Sequence, residues 1–126
     1  MPERSEHWKS QPEQHDYPAA ADYLELLLPL SHVQRLVAAL DKAETVHKKA
    51  KDLNRASGLP ILPPDNPHVA DDLKKVSKGE KLSPVLLVRG ALGQGIPLTV
   101  ADGYHRICAS YHLDENADIP CRIVDA

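Results

Sequence analysis

The sequence has few aromatic residues: among its 126 residues there is no phenylalanine, one tryptophan and four tyrosines. A core without large rings must be built mainly from leucine, valine, isoleucine and alanine. The sequence also has only two cysteines, Cys108 and Cys121, which we expect to be reduced and buried rather than joined in a disulfide. The length suits one domain with one modest core.

A strong charge of either sign is also lacking, since 15 lysines and arginines face 18 aspartates and glutamates, for a net charge of -3. No overall basic field would draw the chain to nucleic acid, so any phosphate binding must be local. No apolar run approaches the roughly 20 residues of a membrane span, and residues 1–16 lack the apolar segment of a signal peptide. We therefore expect a cytoplasmic protein with no membrane partner.

The first half of the chain predicts helices behind a polar segment. Residues 1–18 are polar without apolar periodicity, which predicts a flexible tail. Residues 19–58 predict a helical hairpin. Its first helix covers residues 19–28, and its second is capped by Ser31 and continues to about Arg55.

The second half, residues 59–126, changes character and predicts a core domain that contains a sheet. Strands and helices alternate there, which indicates an α/β protein of the α+β type with a small mixed sheet and covering helices. The predicted elements are a helix that begins after Asn66, strand 84–89, a glycine-rich hairpin loop, strand 96–102, helix 104–113 and strand 120–124.

The stretch Asp-Gly-Tyr-His-Arg, residues 102–106, joins the second of these strands to a helix. The start of a helix presents unpaired N–H groups and the positive end of the helix dipole. Gly103 would let an anion approach closely, and His105 and Arg106 would add charge-assisted hydrogen bonds. The residues therefore predict a phosphate site. The alternative is that Asp-Gly only turns the chain and that both basic side chains are solvated.

This stretch, with the alanine-containing helix, the polar loop and the Ile-Pro-x-x-Ile-Val that follow, resembles the ParB/sulfiredoxin superfamily. The upstream sequence LLVRGALGQG is similar to the strand and Gly-Ala-x-Gly of sulfiredoxins. The resemblance covers about residues 60–126. It implies a ParB/sulfiredoxin-like sheet with nucleotide phosphates at the start of the helix, as in ParB nucleotide-binding domains and ADP-dependent free serine kinases.

One departure from the superfamily pattern excludes an activity. Tyr104 stands where sulfiredoxins have their catalytic cysteine, and a tyrosine cannot replace that thiolate. The protein is therefore not expected to be a sulfiredoxin. A kinase would also need a catalytic carboxylate, for which Asp72 and Glu80 are the candidates.

The junction and the resemblance together predict nucleotide binding, with ATP, ADP or CTP and Mg²⁺ as ligands, and either phosphate transfer or hydrolysis. Asp102 and His105 are the predicted catalytic residues, Asp102 to position Mg²⁺ or His105. The predicted nucleotide contacts are Gly103, Tyr104, His105, Arg106, Lys74 and Lys78.

Three alternatives accompany this prediction. His105, Cys108 and His112 fall on one helix face at zinc-ligand spacing, but no fourth ligand is apparent. Some proteins that resemble this one are labelled ParB-like nucleases, which implies a nuclease or a DNA-associated protein. A non-catalytic interaction module, with a homodimer formed through the N-terminal helices, is the third.

Overall fold

The computed structural model describes residues 7–126, which form a mixed four-stranded sheet with helices on both faces. The fold class predicted from the sequence, a small mixed sheet with covering helices, is confirmed. Along the chain the elements are α1 (Asp16–Leu24), α2 (Leu30–Lys42), β1 (Val46–Lys49), α3 (Ala50–Ser57), α4 (Pro67–Ser77), β2 (Val85–Val88), a 3-10 turn (Leu92–Gln94), β3 (Thr99–Asp102), α5 (Tyr104–Leu113) and β4 (Asp118–Val124).

The strands lie in the order β1-β4-β2-β3. The two central strands, β2 and β4, are parallel, and β1 and β3 flank them in antiparallel pairing. The glycine-rich segment between β2 and β3 makes the predicted hairpin loop, since Ala91 and Ile96 pair across it. This hairpin leads the chain from the centre of the sheet to the strand that ends at Asp102.

β2 is apolar at every position because both faces of the sheet are covered. Val85 and Leu87 belong to one buried cluster, which contains residues of α3 and α5. Leu86 and Val88 belong to the other, which contains residues of α1 and α2. The sheet therefore separates two cores. Within residues 7–126 no helix is long and apolar enough to cross a membrane.

The prediction of one long helix to Arg55 is wrong. α2 ends at Lys42, residues 46–49 form β1 against β4, and the chain becomes helical again only in α3. Pairing with β4 outweighs the helix propensity of this lysine-rich stretch. The predicted cap, Ser31, lies inside α2, whose N-cap residue is Pro29. Asn66 does cap α4, because its side chain accepts hydrogen bonds from two backbone N–H groups of the first turn.

The prediction of a flexible tail is wrong from Trp8 onward, while residues 1–6 lie outside the described residues. Trp8 is buried in the core cluster on the α5 side of the sheet. α1 begins at Asp16, three residues earlier than predicted, and Asp16 and Tyr17 are buried. One large ring supplies the apolar area that the rest of this polar segment lacks.

Three leucines at the α1–α2 connection are exposed: Leu26, Leu27 and Leu30. They lie at one end of the two helices through which a homodimer is predicted. Exposed leucines in a cluster are typical of interaction surfaces. The homodimer itself stays a prediction.

Arg122 of β4 joins the sheet to the N-terminal helices. The residue is 9% exposed and reaches the end of α2, where its Nη1 donates to the carbonyl oxygens of Leu40 at 3.2 Å and Asp41 at 2.7 Å. It also donates to the hydroxyl oxygens of Tyr17 and Thr45, each at 3.2 Å. A cation at the C-terminal end of a helix also interacts favourably with the helix dipole.

We expect Arg122→Ala to lower the free energy of unfolding by about 2 to 4 kcal/mol, because several buried acceptors lose their donor at once. Urea denaturation measures this. The matched control is Arg89→Ala, since Arg89 is exposed and its Nε pairs with Asp125 at 2.7 Å at the surface. The control should change stability by less than about 1 kcal/mol. Equal losses in the two variants would contradict the structural role of Arg122.

Candidate functional site

The predicted motif lies where β3 ends and α5 begins, and Gly103 makes the junction. Gly103 has φ 108°, in the left-handed region that favours glycine. A Cβ at this position would lie 2.4 Å from Cγ1 of Val85, so no larger residue fits without a shift. The sequence therefore needs glycine here for the backbone conformation and for close packing on β2.

A cleft of about 340 Å³ opens at this junction. Four of the predicted site residues line it together: Asp102, Gly103, His105 and Arg106. Its other lining residues come from three places, namely α4, the segment before β2 and the N-terminal segment. The first N–H groups of α5 have no partner within the helix, and the N-cap residue, Gly103, has no side chain that could cap them.

Arg106 is held by partners from three parts of the chain. Its Nη2 donates to Oδ2 of Asp102 at 2.5 Å, and its Nη1 donates to the carbonyl oxygen of Ser83 at 2.8 Å and to the hydroxyl of the same serine. Nη1 also lies 3.7 Å from Oδ2 of Asp16. The arginine side chain is only 12% exposed. Asp102 thus pairs with Arg106, where the sequence predicted a role toward His105 or Mg²⁺.

Two partly desolvated carboxylates face the cleft. Burial raises the pKa of Asp102, although Arg106 beside it favours the charged form, and the nearby Asp16 carboxylate raises this pKa further. Burial also raises the pKa of Asp72 on α4, whose Oδ1 lies 3.9 Å from Nζ of Lys75. At both carboxylates, desolvation therefore raises the pKa by more than the neighbouring cations lower it.

His105 lines the cleft beside a second histidine. Its ring centroid lies 4.6 Å from that of His68, with the planes tilted by 44°. Burial lowers the pKa of His105, and His68 lowers it further, while Asp72 opposes the change. The neutral imidazole is therefore favoured near pH 7, and it can both donate and accept a hydrogen bond.

Tyr104 directs its side chain away from the cleft. Its hydroxyl donates to the carbonyl oxygen of Pro60, and its ring packs against the core clusters on that side of the sheet. Only its backbone is left for the predicted nucleotide contact. This explains physically why a tyrosine is accepted at the second position of the Gly-Tyr-His-Arg sequence.

The zinc alternative is not supported by the geometry. Cys108 is buried, and burial raises the pKa of its thiol. A ring nitrogen of His112 lies 2.7 Å from the carbonyl oxygen of Leu62. Over residues 7–126, no three histidine, cysteine, aspartate or glutamate side chains are arranged to hold a metal ion.

The structure brings other lysines to the cleft than the sequence predicted. Lys74 and Lys78 are exposed and are not among the residues that line it, whereas Lys75 and Lys81 are. At the C-terminal end of α4, only Lys75 faces the cleft, whereas Lys74 does not. The spacing of the lysines along the sequence did not reveal which of them would face the site. Of the two candidate carboxylates, Asp72 lines the cleft and Glu80 does not.

Sequence reasoning missed the N-terminal contribution to the cleft. Glu13, His15 and Asp16 line it, although they fall in the segment predicted to be a tail. Their side chains carry no periodic pattern. The available signal was Trp8, because a lone tryptophan in a polar segment seldom remains exposed when a core is near.

Comparison with protein-family models, curated proteins and solved structures finds no match for this chain. The similarity to the ParB/sulfiredoxin superfamily therefore stays a prediction from the residues and the order of elements.

We expect Gly103→Ala to lower the free energy of unfolding by about 2 kcal/mol or more, because the methyl group meets Val85 and alanine resists the left-handed conformation. Gly93→Ala is the control, since a Cβ there meets nothing within 4 Å and its φ is not left-handed. The control should stay within about 0.5 kcal/mol of wild type in urea denaturation. A tolerated Gly103→Ala would show that the junction is not constrained in this way.

The lowered pKa of His105 predicts that acid weakens the fold. Below the ordinary value of 6.5, the unfolded chain takes up the proton before the folded one does, so stability is lost as the pH falls from 6.5 through the folded pKa. His105→Gln should therefore lose less melting temperature than wild type between about pH 7.5 and about pH 5.5. His47→Gln, at an exposed position, should behave like wild type. An unchanged acid response in His105→Gln would refute the prediction.

Proposed function

We propose that the protein binds a nucleotide through its phosphates in the cleft at the start of α5, and that with Mg²⁺ it hydrolyses the nucleotide or transfers a phosphate to a small molecule. One observation carries the proposal. The first turn of a helix opens into a cleft that also contains Lys75, Lys81, His105 and Arg106. Free N–H groups, a helix dipole and cationic side chains are what phosphate oxygens require.

Each group has a role that follows from its surroundings. Lys75 and Lys81 are exposed and have flexible side chains, so their ammonium groups can adjust their positions to contact the phosphate oxygens. Arg106 is fixed by Asp102 and Ser83 and offers a preorganised positive charge, which is the main contribution a protein makes to phosphoryl transfer. Asp102 acts here as a positioning residue for Arg106. His105, favoured in its neutral form, supplies a hydrogen bond at the cleft wall.

The carboxylates of the cleft fit the way in which Mg²⁺ is bound with nucleotides. That ion keeps several waters and is held through one or two carboxylates together with substrate phosphates. Asp72 would be such a carboxylate, since Asp102 is paired with Arg106. Magnesium, when bound, would neutralise part of the phosphate charge.

A nuclease or DNA-associated role is supported less. Binding to a polynucleotide depends on an excess of lysine and arginine along its phosphates. The chain has a net charge of -3, and the cleft contains four carboxylates, those of Glu13, Asp16, Asp72 and Asp102. A single nucleotide with Mg²⁺ suits such a cleft better than a DNA strand does.

Calorimetric titration with ATP, ADP and CTP, each with and without Mg²⁺, tests the proposal. We expect Lys75→Ala and Lys81→Ala each to weaken binding roughly fivefold, the loss of about 1 kcal/mol of phosphate contact. Lys74→Ala and Lys78→Ala are matched controls from the same region, with the same charge change outside the cleft, and should stay within about twofold. Absence of binding by the wild type, or equal effects of all four substitutions, would refute the proposed function. If the wild type does bind ATP, measuring the release of inorganic phosphate will show whether it also hydrolyses the nucleotide.

A further inference from the structure

The segment His7–Asp16, here called the strap, lines the cleft with Glu13, His15 and Asp16 and is anchored at its other end. Trp8 is 5% exposed and packs in the core cluster on the α5 side. The backbone N–H of Lys9 donates to the carbonyl oxygen of Leu82 at 2.7 Å, and the N–H of Leu82 donates to the carbonyl oxygen of His7 at 2.8 Å. These contacts fasten the strap beside the segment that carries Ser83.

The other end of the strap delivers a carboxylate to the arginine of the site. Asp16 has a side chain only 5% exposed, and its Oδ2 lies 3.7 Å from Nη1 of Arg106. The same oxygen accepts a hydrogen bond from the N–H of Glu13 at 2.9 Å, which fixes the turn that leads into α1. Asp16 thus holds a negative charge near the guanidinium that a phosphate would contact.

The strap also changes the balance of charge in the cleft. From the rest of the chain, the cleft receives three cations, Lys75, Lys81 and Arg106, and two carboxylates, Asp72 and Asp102, a balance of one positive charge. The strap adds two carboxylates, of which Glu13 is paired with Lys9 of the same segment, so Asp16 supplies the negative charge that offsets this positive balance.

We infer that the strap is an intramolecular competitor of the nucleotide. Resting on the function proposed above, the inference is that the Asp16 carboxylate takes the position of a phosphate near Arg106 and that the ligand displaces it. The two carboxylate contacts of Arg106 differ in a way that favours this exchange. The one to Asp102 is direct at 2.5 Å, whereas the one to Asp16 is longer at 3.7 Å. Asp102 therefore keeps the guanidinium in place while the ligand displaces the Asp16 carboxylate.

Affinity for ADP in the presence of Mg²⁺ tests the inference in the full chain. Asp16→Asn keeps the shape of the side chain and removes its charge, and we expect it to bind ADP at least about fivefold more tightly than wild type. Asp22→Asn is the matched control, because it removes the same charge from an exposed position on α1. It should bind ADP as wild type does.

A second variant acts at the anchor. Trp8→Ala removes the buried ring and should also tighten ADP binding, because a loosened strap competes less well.

The outcomes separate the inference from the function on which it rests. If wild type binds ADP and both Asp16→Asn and Trp8→Ala bind it no more tightly, the competitor role is overturned and the nucleotide site remains. Weaker binding by Asp16→Asn would instead make Asp16 a supporting residue of the site and would equally overturn the inference. If ADP binds to none of the proteins, the proposed function fails, and the inference fails with it.

Discussion

The ion-paired guanidinium of Arg106 is the interaction on which the site depends. It joins the end of β3 through Asp102, the segment before β2 through Ser83 and the start of α1 through Asp16. A largely buried arginine is costly to desolvate unless its donors are occupied, and here they are shared among three separate parts of the chain. Under the proposed function, a phosphate that approaches this guanidinium would therefore compete with Asp16 of the N-terminal segment.

Around this group the scaffold is rigid for reasons of packing. β2 is buried on both faces, and Val85 leaves room only for a glycine at position 103. A second arginine, Arg122, joins β4 to α2 by donating hydrogen bonds to the carbonyl groups at the end of that helix. The helices α1 and α2 are thereby tied to β4, and the N-terminal residues of α1 reach the cleft in a defined position. Arg106 and Arg122 therefore hold the same N-terminal unit from two places, Arg106 through Asp16 and Arg122 through Tyr17 and the end of α2.

The second half of the chain was predictable because its signals are local. A continuous apolar run, a glycine-rich hairpin, an asparagine cap and the Asp-Gly junction each specify a structure within a few neighbouring residues, and the elements from α4 to β4 follow them. The first half depends on distant partners. β1 forms because its backbone pairs with the edge of β4, and the strap is ordered because Trp8 is buried in a core cluster. Likewise the sequence could identify Arg106 as a site residue, but not that Asp16, 90 residues away, would face it. Only the tertiary structure brings these groups together.

The charge of the cleft decides which class of ligand suits it. A site that fixed one arginine with a single carboxylate would carry spare positive charge and would retain any anion. Here Asp16 and Asp102 both face the guanidinium, and two further carboxylates lie nearby, so a lone anion gains little net attraction. A ligand that brings both phosphates and a divalent cation can satisfy the lysines and the carboxylates at once. Under the proposed function, this balance of charge would favour a nucleotide with its Mg²⁺ over a simple anion, and the carboxylates rather than the cations would discriminate between the two.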